Sequence, residues 1–231
     1  MYQLGFVVYI KLELPMTSTR FETYTIHIEG EWSLEDLYVF PRAFEQVYFL
    51  VYSLMPERDE DALERIHNAY HAFPWRGGYS AVNFYNQLKF VTPKKDRPQI
   101  ASIHYASPGW LEVALILSVA FSVERLVKSI ANTIGHANDV YDRIVRGMSE
   151  RKLLRLEVER KELQFKKEEL EFITSCLEQM GKLLGFNNLE EINARTGHPY
   201  LSLKILLSLY RRVKTLTDYI GKGKADFRNE K

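Results

Sequence analysis

Apolar and polar positions alternate at the start of this chain and then settle into helical spacing. From residue 4 to residue 14 every even position is apolar (Leu4, Phe6, Val8, Ile10, Leu12, Leu14), with Gln3, Lys11 and Glu13 between them. A period of two implies a strand with one buried face. After a turn over residues 15–19 the alternation resumes at 21–29 through Tyr24, Ile26 and Ile28, which predicts an antiparallel hairpin. Residues 100–105 predict a third short strand beside it.

Helical spacing fills the interval between them. Ser33 followed by Asp36 reads as a helix-starting cap, and Pro41 is expected to separate a short first turn from a helix over 41–54. That helix turns Phe44, Val47, Tyr48, Val51 and Leu54 inward. Acids at 59–61 suit the positive end of a helix running to about residue 72. Gly77 and Gly78 break the chain before a helix capped by Ser80, and residues 93–98 read as a basic loop.

Ser107 and Pro108 look like a helix entry, and residues 110–123 are apolar except for Glu112, Ser118 and Ser122. A helix apolar on all sides belongs at the centre of a core. Its length of about 14 residues falls short of the roughly 20 that span a bilayer. Amphipathic spacing continues to Ile134, and a short helix carrying Val140, Tyr141, Ile144 and Val145 follows.

The longest pattern covers residues 149–184. Leu156, Leu163, Leu170, Leu177 and Leu184 recur at seven-residue spacing, while Leu154, Val158, Phe165, Phe172, Cys176 and Leu183 lie about half a turn away. On one helix these are two stripes on opposite faces, separated by charge, so the helix needs two partners. Gly185 ends it, Asn187 with Glu190 caps a one-turn helix through Ile192, and a last helix spans 200–220. Gly221 and Gly223 then release a flexible basic tail over 222–231.

Together these elements predict an α+β fold. Residues 1–106 form a small amino-terminal antiparallel sheet of about three strands with packed helices, and residues 107–221 an all-helical domain containing the coiled-coil-like helix 149–184. A content of 46% hydrophobic residues supports a real core. Cys176 is the single cysteine, which excludes an internal disulfide and a multi-cysteine zinc site. The first residues pass directly into alternation without a basic and then apolar leader, so a cytoplasmic compartment is expected.

Net charge is +1, but eight basic residues face three acids after Tyr200. Arg211, Arg212 and Lys214 are therefore the nucleic-acid candidates. Phosphate-loop, dinucleotide, nucleophile-elbow and paired-histidine zinc motifs are missing, so neither an enzyme nor a cofactor is expected. Glu64, His67 and His71 share one helical face at metal-ligand spacing, without a second element to complete the set. In the loop at 73–80, Trp75, Arg76, Gly77 and Gly78 are the ligand candidates, since glycine permits close backbone approach and Arg76 suits an anion.

The leading expectation is an interaction or assembly protein. It would self-associate or dock a partner protein through Leu156, Leu163, Leu170 and Leu177 on one stripe and Val158, Phe165 and Phe172 on the other. A membrane-acting effector using the apolar helix 110–123 and a nucleic-acid binder using the basic end are the alternatives.

Overall fold

The alternation at residues 21–29 becomes β1 (Glu22–Ile28), with Tyr24, Ile26 and Ile28 buried and the residues between them partly or fully exposed. The computed structural model describes residues 22–55, 60–72, 78–106, 108–153 and 165–227. The strand expected at 4–14 lies outside them. Three further strands complete an antiparallel sheet: β2 (Gln99–His104), β3 (Gly109–Leu115) and β4 (Ala225–Asp226), in the spatial order β2-β3-β1-β4. The α+β class is the observed one.

Eight helices accompany the sheet among the described residues: α1 (Leu34–Leu54), α2 (Glu60–Ala72), α3 (Gly78–Val91), α4 (Leu117–Ala131), α5 (Ile134–Glu150), α6 (Lys167–Leu183), α7 (Glu190–Thr196) and α8 (Pro199–Gly221). The buried face of β1 meets helix α4, while the opposite face carries Thr25, His27 and Glu112 and is half-exposed. Helix α8 packs on α1, α4, α6 and α7, and its residues from Tyr200 to Tyr210 are all buried except Lys204.

Several local expectations change. Helix α1 runs unbroken through Pro41. The capping box of Ser33 and Asp36 starts it early, and the missing proline N–H removes one helical bond from a helix whose other face is anchored by Phe40, Phe44, Val47 and Tyr48. Helix α3 begins at Gly78, so Ser80 lies inside it.

Residues 110–123 are not one helix. They form strand β3 and the start of α4, with Ile116 as the N-cap between them. Leu111, Val113 and Leu115 point into the core while Trp110, Glu112 and Ala114 are only partly covered, which is period two on a segment with few polar residues. Gly109 closes the β2–β3 connection. A Cβ there would lie 2.6 Å from the His104 carbonyl oxygen and 2.7 Å from that of Ala106. The boundary expected after residue 106 falls inside this hairpin, and β3 is the strand joining β2 to β1. No described helix is long and apolar enough to cross a membrane.

The rod expected over 149–184 is also interrupted. Helix α5 stops at Glu150, and Lys152 takes a left-handed φ of 56°. The Leu153 amide then donates to the Met148 carbonyl at 2.8 Å and the Lys152 amide to the Ser149 carbonyl at 2.9 Å, a Schellman ending made without glycine. What holds it is Leu153, 1% exposed, whose carbonyl accepts from the Tyr200 hydroxyl at 2.7 Å. Residues 154–164 lie outside the described ones, and the next helix, α6, starts at Lys167. Gly185 ends α6 as expected, with φ +79°.

Residues 222–227 do not form a loose tail. Gly223, at φ 67°, reverses the chain after α8 so that β4 pairs with β1 and Phe227 becomes buried at 1% exposure. Phe227 packs on Phe40 and Phe44, and its carbonyl accepts from the Tyr24 hydroxyl. Beside it Asp36 ties three elements together, accepting from Tyr219 Oη at 2.9 Å, Lys224 Nζ at 2.9 Å and the Ser33 amide at 2.8 Å. Residues 228–231 lie outside the described ones.

Phe227→Ala should destabilise the fold by about 3–5 kcal/mol, as large aromatic truncations in cores do, with urea denaturation as the measure. A change under about 1 kcal/mol would mean that the carboxy-terminal strand is not docked. The Asp36 carboxyl is held well below the usual carboxylate range, first by Lys224 and then by the Ser33 amide. Its folded state therefore binds a proton less readily than the unfolded chain. The resulting stabilisation is present above the unfolded value of about 4 and lost as pH falls through the folded one. Asp36→Asn should lower stability at neutral pH and flatten its decline below about pH 5; parallel acid limbs would contradict this.

Candidate functional site

The described parts of the two stripes are covered from within the chain, except at Leu170. Leu156, Val158 and Leu163 lie outside the described residues. Leu177, with Ile173, Cys176 and Met180, is buried where α6 packs along α8. On the other side Phe172 is half-buried between neighbouring groups. The Arg151 guanidinium sits 4.0 Å above its ring, and Gly147 of α5 is so close that a Cβ would lie 2.7 Å from its Cζ. Phe165 packs on His198 and Tyr200, with ring centroids 5.3 and 5.1 Å away. Only Leu170, 39% exposed, is a described stripe residue open to solvent to this degree.

Burial pushes the Cys176 thiol up to about 11. With the side chain 4% exposed, neither thiolate nor access is present for nucleophilic chemistry. Glu64 and His67 lie exposed on α2, and the His71 side chain lies outside the described ones. Among the described residues no group of three or more histidines, cysteines or acids is placed to hold a metal. Trp75, Arg76 and Gly77 fall outside the described residues, and Gly78 opens α3.

The basic candidates separate. Lys214 is engaged by Asp218 at 2.8 Å on the same helix. Arg211 and Arg212 instead meet Arg42 of α1 at a cleft of ≈ 350 Å³, to which Tyr38, Gln46 and Thr215 add polar groups. Arg212 is fixed from three directions. Its Nε donates to Gln46 Oε1 at 2.9 Å, its Nη1 donates to the Ser208 carbonyl at 2.9 Å, and its guanidinium lies 4.3 Å from the centre of the Tyr85 ring. Burial lowers the Arg212 pKa; repulsion from Arg211 and Arg42 adds to this, and Tyr85 opposes it. Arg42 is exposed at the rim, donating from Nη1 to the Tyr38 hydroxyl at 3.0 Å. Arg42 and Tyr38 were not legible as site residues, because nothing in the sequence places the start of α1 beside α8.

A second surface lies at the outer strand of the sheet. Among the described residues no strand covers the free side of β2. Ile100 stands opposite Val113 and Ile103 opposite Leu111, so both point to the face on which the core lies. Among the described residues they nevertheless remain 56% and 50% exposed. Residues three apart on a regular strand would face opposite ways. The irregularity between Ile100 and Ser102 inserts an extra residue and returns Ile103 to the same face. On the opposite face Ser102 donates to Glu112 at 2.6 Å and His104 stacks on Trp110 at 4.1 Å.

Comparison with protein families, curated proteins and solved structures finds no significant match. The packing of α6 on α8 can be probed directly: Cys176 should react with an aromatic disulfide reagent at least about a thousandfold more slowly in the native protein than in urea, as expected for a buried thiol with a raised pKa. Comparable rates in the two states would mean that this helix pair is open.

Proposed function

We infer that this protein works by non-enzymatic interaction, associating with a second copy of itself through the edge of β2. The supporting observation is the exposed pair Ile100 and Ile103 on a strand that is outermost among the described residues and carries no charged side chain between Gln99 and His104. Protein sheets commonly protect such edges with lysine or proline because an unpaired strand recruits another. Here the irregularity at Ala101 presents two apolar side chains together.

The strand also matches itself. Antiparallel pairing about the bond between Ala101 and Ser102 sets Ile100 opposite Ile103 of the second copy, and Gln99 opposite His104. Both isoleucine pairs then fall on the face that already carries Val113 and Leu111, extending the core layer across the two-fold axis. The long two-faced helix first expected to mediate assembly is replaced in this reading by a strand edge, since α6 finds its partners within the chain.

Light scattering on the full chain should give a dimer whose fraction rises with concentration. Ile103→Lys should shift it to monomer while leaving the circular dichroism unchanged. A wild-type protein that stays monomeric at high concentration, or a dimer indifferent to Ile103→Lys, would overturn the reading.

A further inference from the structure

Three guanidinium groups converge on the cleft between α1 and α8, and no carboxylate lies among the described residues that line it. Like charges gathered in this way raise the energy of the folded protein unless something answers them. Of the acids along the two helices, Asp36 is held by Lys224 at 2.9 Å and Glu35 is not among the lining residues. Glu45 accepts from Lys89 at 2.6 Å, and Asp218 is held by Lys214 at 2.8 Å. Among the described residues the cluster is therefore held by the packing of Arg212 and not by a lining acid.

The groups differ in freedom, and the difference is that of a binding site. Arg212 is set in place by Gln46, the Ser208 carbonyl and the Tyr85 ring, so its position costs nothing further when a ligand arrives. Arg42 and Arg211 are exposed at the rim and able to close on whatever enters. A guanidinium presents a flat fork of N–H donors that matches two oxygens of a phosphate. A single carboxylate has too few oxygens and too little charge for three forks. A phosphate monoester, with three terminal oxygens and up to two negative charges, meets the set.

Size selects among phosphate-bearing molecules. The cleft's ≈ 350 Å³ stands at the low end of the roughly 300–1,000 Å³ typical of small-molecule sites. A polynucleotide would need a basic track leading away from the cleft, and of the lysines on the adjoining helices Lys89 and Lys214 are each paired with an acid while Lys204 lies over the Tyr200 ring. We propose that this cleft binds the phosphate group of a small phosphorylated molecule, with Arg212 as the fixed donor and Arg42 and Arg211 as the closing ones.

The test is calorimetric titration of the full chain with inorganic pyrophosphate and with adenosine monophosphate, against sodium chloride at matched ionic strength. Saturable binding of one equivalent of either probe is expected. Arg42→Ala and Arg211→Ala, both at exposed positions, should each weaken it by about tenfold or more, as loss of a charge-assisted contact does. Arg212→Lys should weaken it too, because an ammonium cannot reproduce the fork. Ile103→Lys should bind as the wild type does, which separates this site from self-association. The proposal is overturned if neither probe binds at millimolar concentration, or if the folded rim variants bind unchanged. It is equally overturned if a single-stranded oligonucleotide binds more tightly than both probes with a steep salt dependence.

Discussion

The structure depends on burying helix α8. Between Tyr200 and Tyr210 it is apolar around nearly its whole circumference, with Lys204 lying over the Tyr200 ring at 4.5 Å as the exception. No single neighbour can cover such a surface, so α1, α4, α6 and α7 are all drawn against it. The sheet is reached through the same helix: α4 backs β1, and the turn at Gly223 carries the chain from the end of α8 into β4. Several polar groups along α8 are met within the wrap. Tyr200 donates to the Leu153 carbonyl, Ser202 donates to Asn193 Oδ1 at 2.6 Å, and Tyr210 donates to Asn138 Oδ1 at 2.7 Å. The first of these bonds also fixes the ending of α5, and the other two tie α7 and α5 to α8.

The patterns that could be read from the residues were those in which local and tertiary demands agree. Tyr24, Ile26 and Ile28 alternate because one face of β1 is buried and the other is not. Ser33 with Asp36 starts α1, and Gly185 ends α6, because capping chemistry is local. The face of α8 made by Leu203, Leu206, Leu207, Tyr210, Val213 and Leu216 was legible for the same reason. Of the site residues, Arg211 and Arg212 stood out by charge alone.

Where the reading failed, the missing information was tertiary. In residues 109–131 a strand followed by a helix looks like one apolar run, since Trp110 and Ala114 occupy the less buried face of β3. Gly109, required by the close carbonyls of His104 and Ala106, was the one local sign of a hairpin there. The end of α5 at Lys152 has no glycine to announce it. A left-handed lysine costs about 1 kcal/mol, offset here by burial of Leu153 against a tyrosine 47 residues further on. Seven-residue leucine spacing therefore described possible faces and not a continuous rod. The docking of Phe227 depends on Phe40, Phe44 and Tyr24, far away in the chain, so composition alone made that end look like a solvated tail.

Both surfaces proposed above to bind lie where this wrapping of the described residues stops. Helix α8 is apolar on almost every side as far as Tyr210; from Arg211 onward only Val213, Leu216, Thr217 and Tyr219 stay buried, and its polar side opens beside Arg42. The arginine cleft is thus the place where an internal helix becomes a surface helix, which lets Arg212 be held by the core while Arg211 reaches solvent. On β2, Ile100 and Ile103 lie on the core side of the sheet and yet stay half-exposed among the described residues. A helix laid over β2 would cover its two isoleucines, and continuing the apolar face of α8 past Tyr210 would remove the cleft. Among the described residues, both surfaces lie where burial of α8 and of the sheet gives way to exposure.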